Sequence, residues 1–393
     1  MGASLDEQLL DDAEALAAAD RSGMLLSLAT AGAQVREAVV RGQEAGVCRM
    51  ADDDRPRSVL VASLGGSRIV GDVLSALAGA GSAMPVTVRR GLPLPGWVGP
   101  LDLVVAVSLS GRARGPLALA AEAGRRGCRL LSVGAPDSPL ADVCAQARGV
   151  HVPVTISRHR DAPEPGTVSS RAALWSLLVP VLQAGHAIGA VDVPDAVLAR
   201  TADVLDVEAD AARPSSMSFV NPAKSLALLL AGHVPVVLAD GPLTDVAARR
   251  TVAMLARTAR TPAMYGSLPD DASEVVATFD GPFTSGQSDV FADPFLDPPA
   301  GPTQRLLLLR EPTPQPGEDD QEAFERAALA DRVRELARDV GVPVSEVATE
   351  RGHDLVRLAH LVARTDFTAT YLALGMGLDP VTSPHVTDLR DAR

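Results

Sequence analysis

Two short segments hold the residue types best suited to gripping an anion: Gly65-Gly66-Ser67 and Ser108-Leu109-Ser110-Gly111. Each follows an aliphatic run, SVLVASL (58–64) before the first and LDLVVAV (101–107) before the second, and each leads into an amphipathic stretch. That order is the signature of a buried strand turning into a helix. Glycine lets a ligand come close to the backbone, the helix start presents N–H groups without intrahelical partners, and serine adds hydroxyl donors, so the combination suits a phosphate. The spacing from Gly65-Gly66 to Gly71 is not GxGxxG, and neither turn carries the GKS or GKT of a P-loop, which disfavours dinucleotides and nucleoside triphosphates. The competing reading is an ordinary strand-to-helix turn, with glycine for geometry and serine as helix cap. Two such turns in one domain converge on the crevice at the carboxyl ends of the strands, where open α/β sheets take ligands, and this favours phosphate.

The elements that position these turns follow from the hydrophobic pattern. GGS and RIVGDVLSALAGAG complete the first strand–turn–helix unit; MPVTVRR, CRLLSVGAP and HVPVTI read as further strands, and GPLALAAEAGRRG as a helix closed by Gly127. DAPEPGT (161–167) reads as a loop, and SSRAALWSLLVPVLQAG as a helix capped at Ser169 or Ser170. Upstream, residues 4–45 read as helices broken at Asp20–Met24, where Ser22 and Gly23 supply cap and turn. Downstream of a helix in VDVPDAVLARTADVLDVEADAARPSS, the alternation repeats: helix PAKSLALLLAG, strand VPVVLAD, helix DVAARRTVAMLARTA, strands PAMYGSL and EVVATFD, strand RLLLLR, and two closing helices. Residues 281–303, rich in Gly, Pro and Asp, read as a long surface loop. The expected fold class is α/β with two mainly parallel sheets flanked by helices. The expected divisions are an N-terminal helical extension (1–45), a first subdomain (46–212) carrying the anion-binding turns, and a second subdomain with C-terminal helices (213–393).

Composition bounds the partners. With 393 residues and 47% hydrophobic but only 3% aromatic residues, the cores are built from Ala, Val and Leu. A formal net charge of -13 argues against nucleic acid or an anionic membrane as partner, so an anionic ligand must be held locally. Arginine supplies nearly all the positive charge, Lys224 being the one lysine, and arginine abundance carries no functional weight. Cys48, Cys128 and Cys144 form no CxxC or Cys/His cluster, and MGASLDEQLLDDAEALAAAD lacks a basic n-region and apolar h-region; a reducing cytoplasm is expected.

Several segments, in order, resemble the bifunctional phosphoglucose/phosphomannose isomerases, whose halves are sugar-isomerase (SIS) domains. DRSGM (20–24) with Gln34 is similar to the family's N-terminal helical entry; SLGGSRIVGD (63–72) resembles GMGGSGIGGD; VSLSGRARGPL (107–117) resembles VSYSGNTEETL; SSRAAL (169–174) resembles PRAALG. NPAKSLALLLAG with VPVVLAD (221–240) and the TDF, YLAL and GLDP run (365–380) resemble its C-terminal half. The resemblance implies that a hexose 6-phosphate seats its phosphate on Gly65, Gly66, Ser67, Ser108 and Ser110. It also implies that Arg171 steadies the substrate or the enediolate, that no metal or organic cofactor takes part, and that the protein is a homodimer.

The departures bear on activity. The family's second turn reads SGNT; here Arg112-Ala113 replaces Asn-Thr, so a threonine hydroxyl is lost and Arg112 is the candidate to supply an ionic contact instead. The segment resembling LNENAK is Leu255–Arg260, which puts Arg257 at the family's glutamate, and a guanidinium accepts no proton at neutral pH. The segment resembling LPEMNHNE is Leu268–Glu274, which puts Ser273 or a neighbour at its histidine. Asp270, Asp271 and Glu274 are the candidate replacements, against the reading of a solvated acidic turn. His233, His353 and His360 read as packing or capping residues, His385 lies near the tail, and Lys224 reads as structural. Three functions are therefore expected in order: a hexose-phosphate-binding SIS protein with acid–base groups lost or relocated, an active aldose–ketose isomerase, and a non-catalytic dimeric interaction protein.

Overall fold

The computed structural model describes residues 5–79, 81–154, 171–284, 302–315 and 320–391. The chain divides into two compact units: residues 26–207 with 353–356, and residues 1–25 with 208–352 and 357–393. Residues 1–25 thus fall with the later part of the chain and residues 26–45 with the earlier part.

The first unit is built on a five-stranded parallel sheet: β1 (Val59–Ser63), β2 (Val86–Arg89), β3 (Leu103–Ser108), β4 (Arg129–Gly134) and β5 (Val150–Pro153), in the order β2-β1-β3-β4-β5. β1, β3 and most of β4 are buried on both faces, which is why they read as unbroken aliphatic runs. Leu60, Ala62, Val104, Ala106 and Leu130 face a core shared with Leu119 and Ala123 of the helix Arg114–Arg125 and with Leu140 and Cys144 of the helix Pro139–Gln146. On the opposite face lies the helix Arg68–Ala78. Gly71 seats it on the sheet: a Cβ there would come 2.9 Å from a methyl of Val88 and 3.3 Å from Val61 Cβ.

In the second unit a four-stranded parallel sheet holds β6 (His233–Ala239), β7 (Met264–Ser267), β8 (Thr303–Arg310) and β9 (Val344–Ala348) in the order β7-β6-β8-β9. The segment EVVATFD is helical, Ala272–Ala277 followed by a 3-10 turn, and not a strand. Two residues of it, Val275 and Phe279, enter the core beside Leu238 and Leu308 with a spacing of four, the period of a helix face. β9, in GVPVSEVA, and the helix Pro139–Gln146 were not legible as elements. β9 is an edge strand with alternating burial over only five residues.

Polar groups fix the N-terminal region and the long helices. The break at residues 20–24 is capped by Asp20 and not by Ser22: its carboxylate accepts the N–H groups of Met24 (2.9 Å) and Leu25 (2.8 Å), while Gly23 supplies φ of +64°. Lys224, fully buried, donates to the carbonyls of Leu10, Pro214 (2.7 Å) and Ser216 (2.7 Å) and lies 5.4 Å from the centre of the Tyr371 ring. All three ammonium protons are thereby satisfied. Arg250 and Asp366, both buried, join the helix Pro242–Arg257 to the helix Asp354–Gly375, with Nε 3.0 Å from each carboxylate oxygen. No helix among the described residues is long and apolar enough to cross a membrane.

At the carboxyl ends of β6 and β8, Asp240 pairs with Arg310 (3.0 Å) and accepts the Glu311 N–H (2.8 Å). Burial pushes the Asp240 carboxyl up to about 6, with the Glu311 charge adding to the rise against the pull of Arg310. Arg310, also bound to Asp331 at 2.8 Å, stays cationic, so the carboxyl is the group that gives way.

Asp366→Ala leaves a buried guanidinium without its carboxylate and is expected to cost about 3–5 kcal/mol, read as a lowered urea midpoint. Because the folded Asp240 carboxyl titrates above its ordinary value of 3.8, the stability it contributes is complete below that value and is lost as pH rises through about 6. Wild type should therefore lose about 2–3 kcal/mol relative to Asp240→Asn between pH 4 and pH 7, measured by urea unfolding at each pH.

Candidate functional site

The strand order of the first sheet reverses between β1 and β3: from β1 the chain moves outward to β2, then returns to β3 and proceeds to the other edge. A crevice opens at the carboxyl ends of two strands where their connections depart to opposite faces, and this is where open α/β sheets bind ligands. The two Ser/Gly turns leave β1 and β3 at that point, and Ser63 and Val107 are register partners. Gly65, Gly66, Ser67, Ser108, Ser110 and Arg112 are therefore brought together on adjacent strand ends.

Gly65–Ser67 form a single 3-10 turn with Gly65 at φ +65°. Gly111 closes the second turn at φ +63° and accepts the Leu140 N–H (3.1 Å), while a Cβ on it would lie 2.1 Å from Ser138 Oγ. The Leu109 carbonyl accepts the Ala135 N–H at 3.0 Å. The second turn is thus held by the loop that follows β4, and only glycine fits its corner.

Helix capping separates the two readings of these serines. Neither the helix Arg68–Ala78 nor the helix Arg114–Arg125 receives a hydrogen bond from a capping side chain at its start. By contrast, Ser138 caps the helix Pro139–Gln146, and Asn221 caps Pro222–Leu230. Ser67, 6% exposed, directs its hydroxyl at the carbonyls of Leu64 (3.0 Å) and Val107 (3.3 Å), so its single proton is already engaged and its lone pairs are what it offers a ligand. Ser108, 4% exposed, accepts the Ala113 N–H and Ser110 accepts the Arg112 N–H, each at 3.3 Å, which leaves both hydroxyl protons available for an anion. Ser108 and Ser110 are the stronger donors of the set.

Arg171, 7% exposed, stands in the turn before the helix Leu174–Ala187, which packs against the Gly65–Ser67 turn. That helix begins at Leu174, with Ala173 before it and no side-chain cap; Ser169 and Ser170 lie outside the described residues, as does DAPEPGT. The Arg171 turn is anchored instead by Gln34, whose amide donates to the Ala172 carbonyl at 2.9 Å and accepts from the Ser176 hydroxyl at 3.3 Å. Gln34 stands out in the sequence only through the resemblance, and no spacing rule joins it to residue 172.

The residues that the resemblance sets against the family's acid–base groups stand in the second unit. Arg257, Asp270, Ser273 and Glu274 are exposed. Asp271 accepts the Ser267 N–H at 2.8 Å, a local turn contact. Of the expected 281–303 loop, residues 285–301 lie outside the described residues, and β8 begins at Thr303. The histidines are engaged with neighbours: His233, on β6 itself, with Thr303 (3.0 Å), His353 with the Leu355 N–H (3.1 Å), and His360 with Glu208 (2.8 Å). Burial works to raise the Glu208 carboxyl, but His360 and Arg364 hold it below the usual carboxylate range.

Comparison with known proteins agrees with this architecture. Residues 219–392 match the family described as bacterial phospho-glucose isomerase C-terminal SIS domain. The bifunctional phosphoglucose/phosphomannose isomerase of Caldicellulosiruptor bescii is 23% identical over 360 residues, 91% of this chain and 95% of that protein. Among solved structures, a hypothetical protein from Thermus thermophilus superposes with a TM-score of 0.68 at 16% identity, covering 98% of this chain and 94% of the other. The C-terminal domain of glucosamine-fructose-6-phosphate aminotransferase from Francisella tularensis gives 0.58 at 12% identity over 92% and 98%. A glucose-6-phosphate isomerase like protein, also from Thermus thermophilus, gives 0.51 at 20% over 91% and 98%. These structural likenesses carry the fold. Residues 219–392 thus carry the match to the bacterial phospho-glucose isomerase C-terminal SIS domain, and the chain along 91% of its length is similar, at low identity, to a bifunctional phosphoglucose/phosphomannose isomerase.

Proposed function

We propose that the protein binds a hexose 6-phosphate in the crevice between β1 and β3 without the isomerase chemistry of its relatives. The observation that carries the reading is the pair of helix starts, at Arg68 and Arg114, left without side-chain caps beside Ser108 and Ser110 at the reversal of strand order. Helix starts that no N-cap side chain covers, together with free hydroxyl protons on adjacent strand ends, favour a phosphate oxygen. Arg112 and Arg171 add charge. On the resemblance, Arg257 stands at the family's base position and Ser273 or a neighbour at its histidine, and general acid–base groups each contribute about 10²–10⁴-fold, so isomerisation without them is slow. Asp271 is a poor replacement, since its carboxylate already accepts the Ser267 N–H. The protein acts in the cytoplasm as a homodimer, like a sugar-phosphate sensor or partner in hexose-phosphate metabolism.

The test is fructose 6-phosphate in D₂O followed by NMR. The expected result is saturable binding with no C1 or C2 proton exchange above the buffer rate. Exchange with glucose or mannose 6-phosphate appearing would establish a working isomerase, and Glu274→Gln would then abolish turnover while Asp271→Asn leaves it unchanged. Ser108→Ala and Ser110→Ala are each expected to weaken binding at least about 10-fold, since a hydrogen bond to a charged group is removed. Wild-type protein that binds no hexose phosphate, with both variants unchanged in every respect, would instead make the fold an interaction scaffold.

A further inference from the structure

Arginine abundance in this chain carries no information, but the placement of three arginines does. Arg68 follows the Gly65–Ser67 turn after β1, Arg90 follows β2, and Arg112 lies in the turn after β3. β2, β1 and β3 are neighbours in that order, so the three residues line one rim of the sheet across roughly 10 Å. The loops that carry them meet. A Cβ on Gly115 would lie 2.4 Å from the Arg90 carbonyl oxygen and 3.7 Å from a methyl of Leu64.

None of these three guanidinium groups has a hydrogen-bond or ion-pair partner among the described residues. Elsewhere in the same unit some arginines find carboxylates, Arg36 with Asp203 and Asp206, Arg57 with Asp102 and Arg129 with Asp53, and others such as Arg49 and Arg148 do not, so it is the gathering of three on one rim that sets these apart. Residues 64–71, 90–98 and 109–113 contain no Asp or Glu, and Asp72, one helical turn beyond Arg68, already has a partner that is not Arg68. Beneath them, Arg89 donates to the Pro93 carbonyl at 3.1 Å and leaves its Nε buried without a partner. Like charges gathered on one rim repel one another, and an anion spanning them relieves that repulsion.

We propose that the preferred ligand is a sugar phosphate carrying a second anionic group, a carboxylate or another phosphate, with Arg68 and Arg90 selecting for that second group. This inference rests on the phosphate seat proposed above and extends it: one anion sits on the serine turns, and the other faces the rim. The net charge of the chain does not oppose this, because the field at the rim is set by the nearest groups within a Debye length of about 8–10 Å.

The experiment is isothermal titration at fixed ionic strength with fructose 6-phosphate, fructose 1,6-bisphosphate and 6-phosphogluconate, on wild type and on the Arg68→Gln/Arg90→Gln double variant. At least one of the two doubly anionic compounds is expected to bind wild type 10-fold or more tighter than fructose 6-phosphate, and which one does so distinguishes phosphate from carboxylate as the second group. In the double variant the preference should fall below 3-fold, with fructose 6-phosphate affinity and urea midpoint retained. Equal affinity for all three compounds in wild type, or a preference unchanged in the variant, overturns the inference and leaves the hexose-phosphate reading standing. Failure of all three to bind overturns both.

Discussion

Every strand of a parallel sheet that turns into a helix leaves backbone N–H groups pointing at the carboxyl edge, and something has to satisfy them. The two units of this protein meet that requirement differently. At the reversal point of the second sheet the chain does it internally. Thr244 Oγ1 accepts the N–H groups of Asp240 (3.1 Å) and Gly241 (2.8 Å), and Glu311 accepts that of Leu243 (3.2 Å). A Cβ on Gly241 would collide with Glu311 at 2.5 Å, so the carboxylate occupies the place an outside anion would take. At the corresponding point of the first sheet Ser108 and Ser110 accept the N–H groups of Ala113 and Arg112, but no carboxylate lies over either helix start. Hydroxyls serve both reversal points, and the difference rests on the Glu311 carboxylate present in one unit alone.

Packing constrains the strands and the glycine positions around them to different degrees. The aliphatic strands tolerate exchange among Val, Leu and Ile as long as volume is kept. A side chain is not tolerated at Gly111 in the second turn, where Ser138 fills the space, nor at Gly71 on the helix Arg68–Ala78, where the helix meets the sheet. Positions 112 and 257, where the sequence departs from the motifs it resembles, are exposed and carry no such packing demand.

The sheet architecture was legible because both-face burial writes itself as uninterrupted aliphatic runs, and the Ser/Gly turns stood out against them. What sequence reasoning missed has one physical origin, the dependence of local structure on distant contacts. EVVATFD reads as a strand because its valines are β-branched, yet burial of Val275 and Phe279 follows the helical period. Asp20 outranks Ser22 as cap because a carboxylate with two oxygens can accept two N–H groups at once. The tie between Gln34 and Ala172 joins residues 138 apart in sequence, and no local pattern encodes it. The serine roles at the crevice likewise depend on where each hydroxyl proton goes, which only three-dimensional geometry decides.

Lys224 has a consequence beyond the N-terminal region it holds in place. It is the one ε-amine in the 393-residue chain, and it is wholly enclosed, its protons divided among three carbonyls. The described surface of the folded chain therefore offers no lysine to acylating reagents, aldehyde crosslinkers, acetyltransferases or ubiquitin ligases. Modification at residue 224 requires that the cage of carbonyls from Leu10, Pro214 and Ser216 open first, so labelling there reports opening of this part of the unit, locally or with global unfolding.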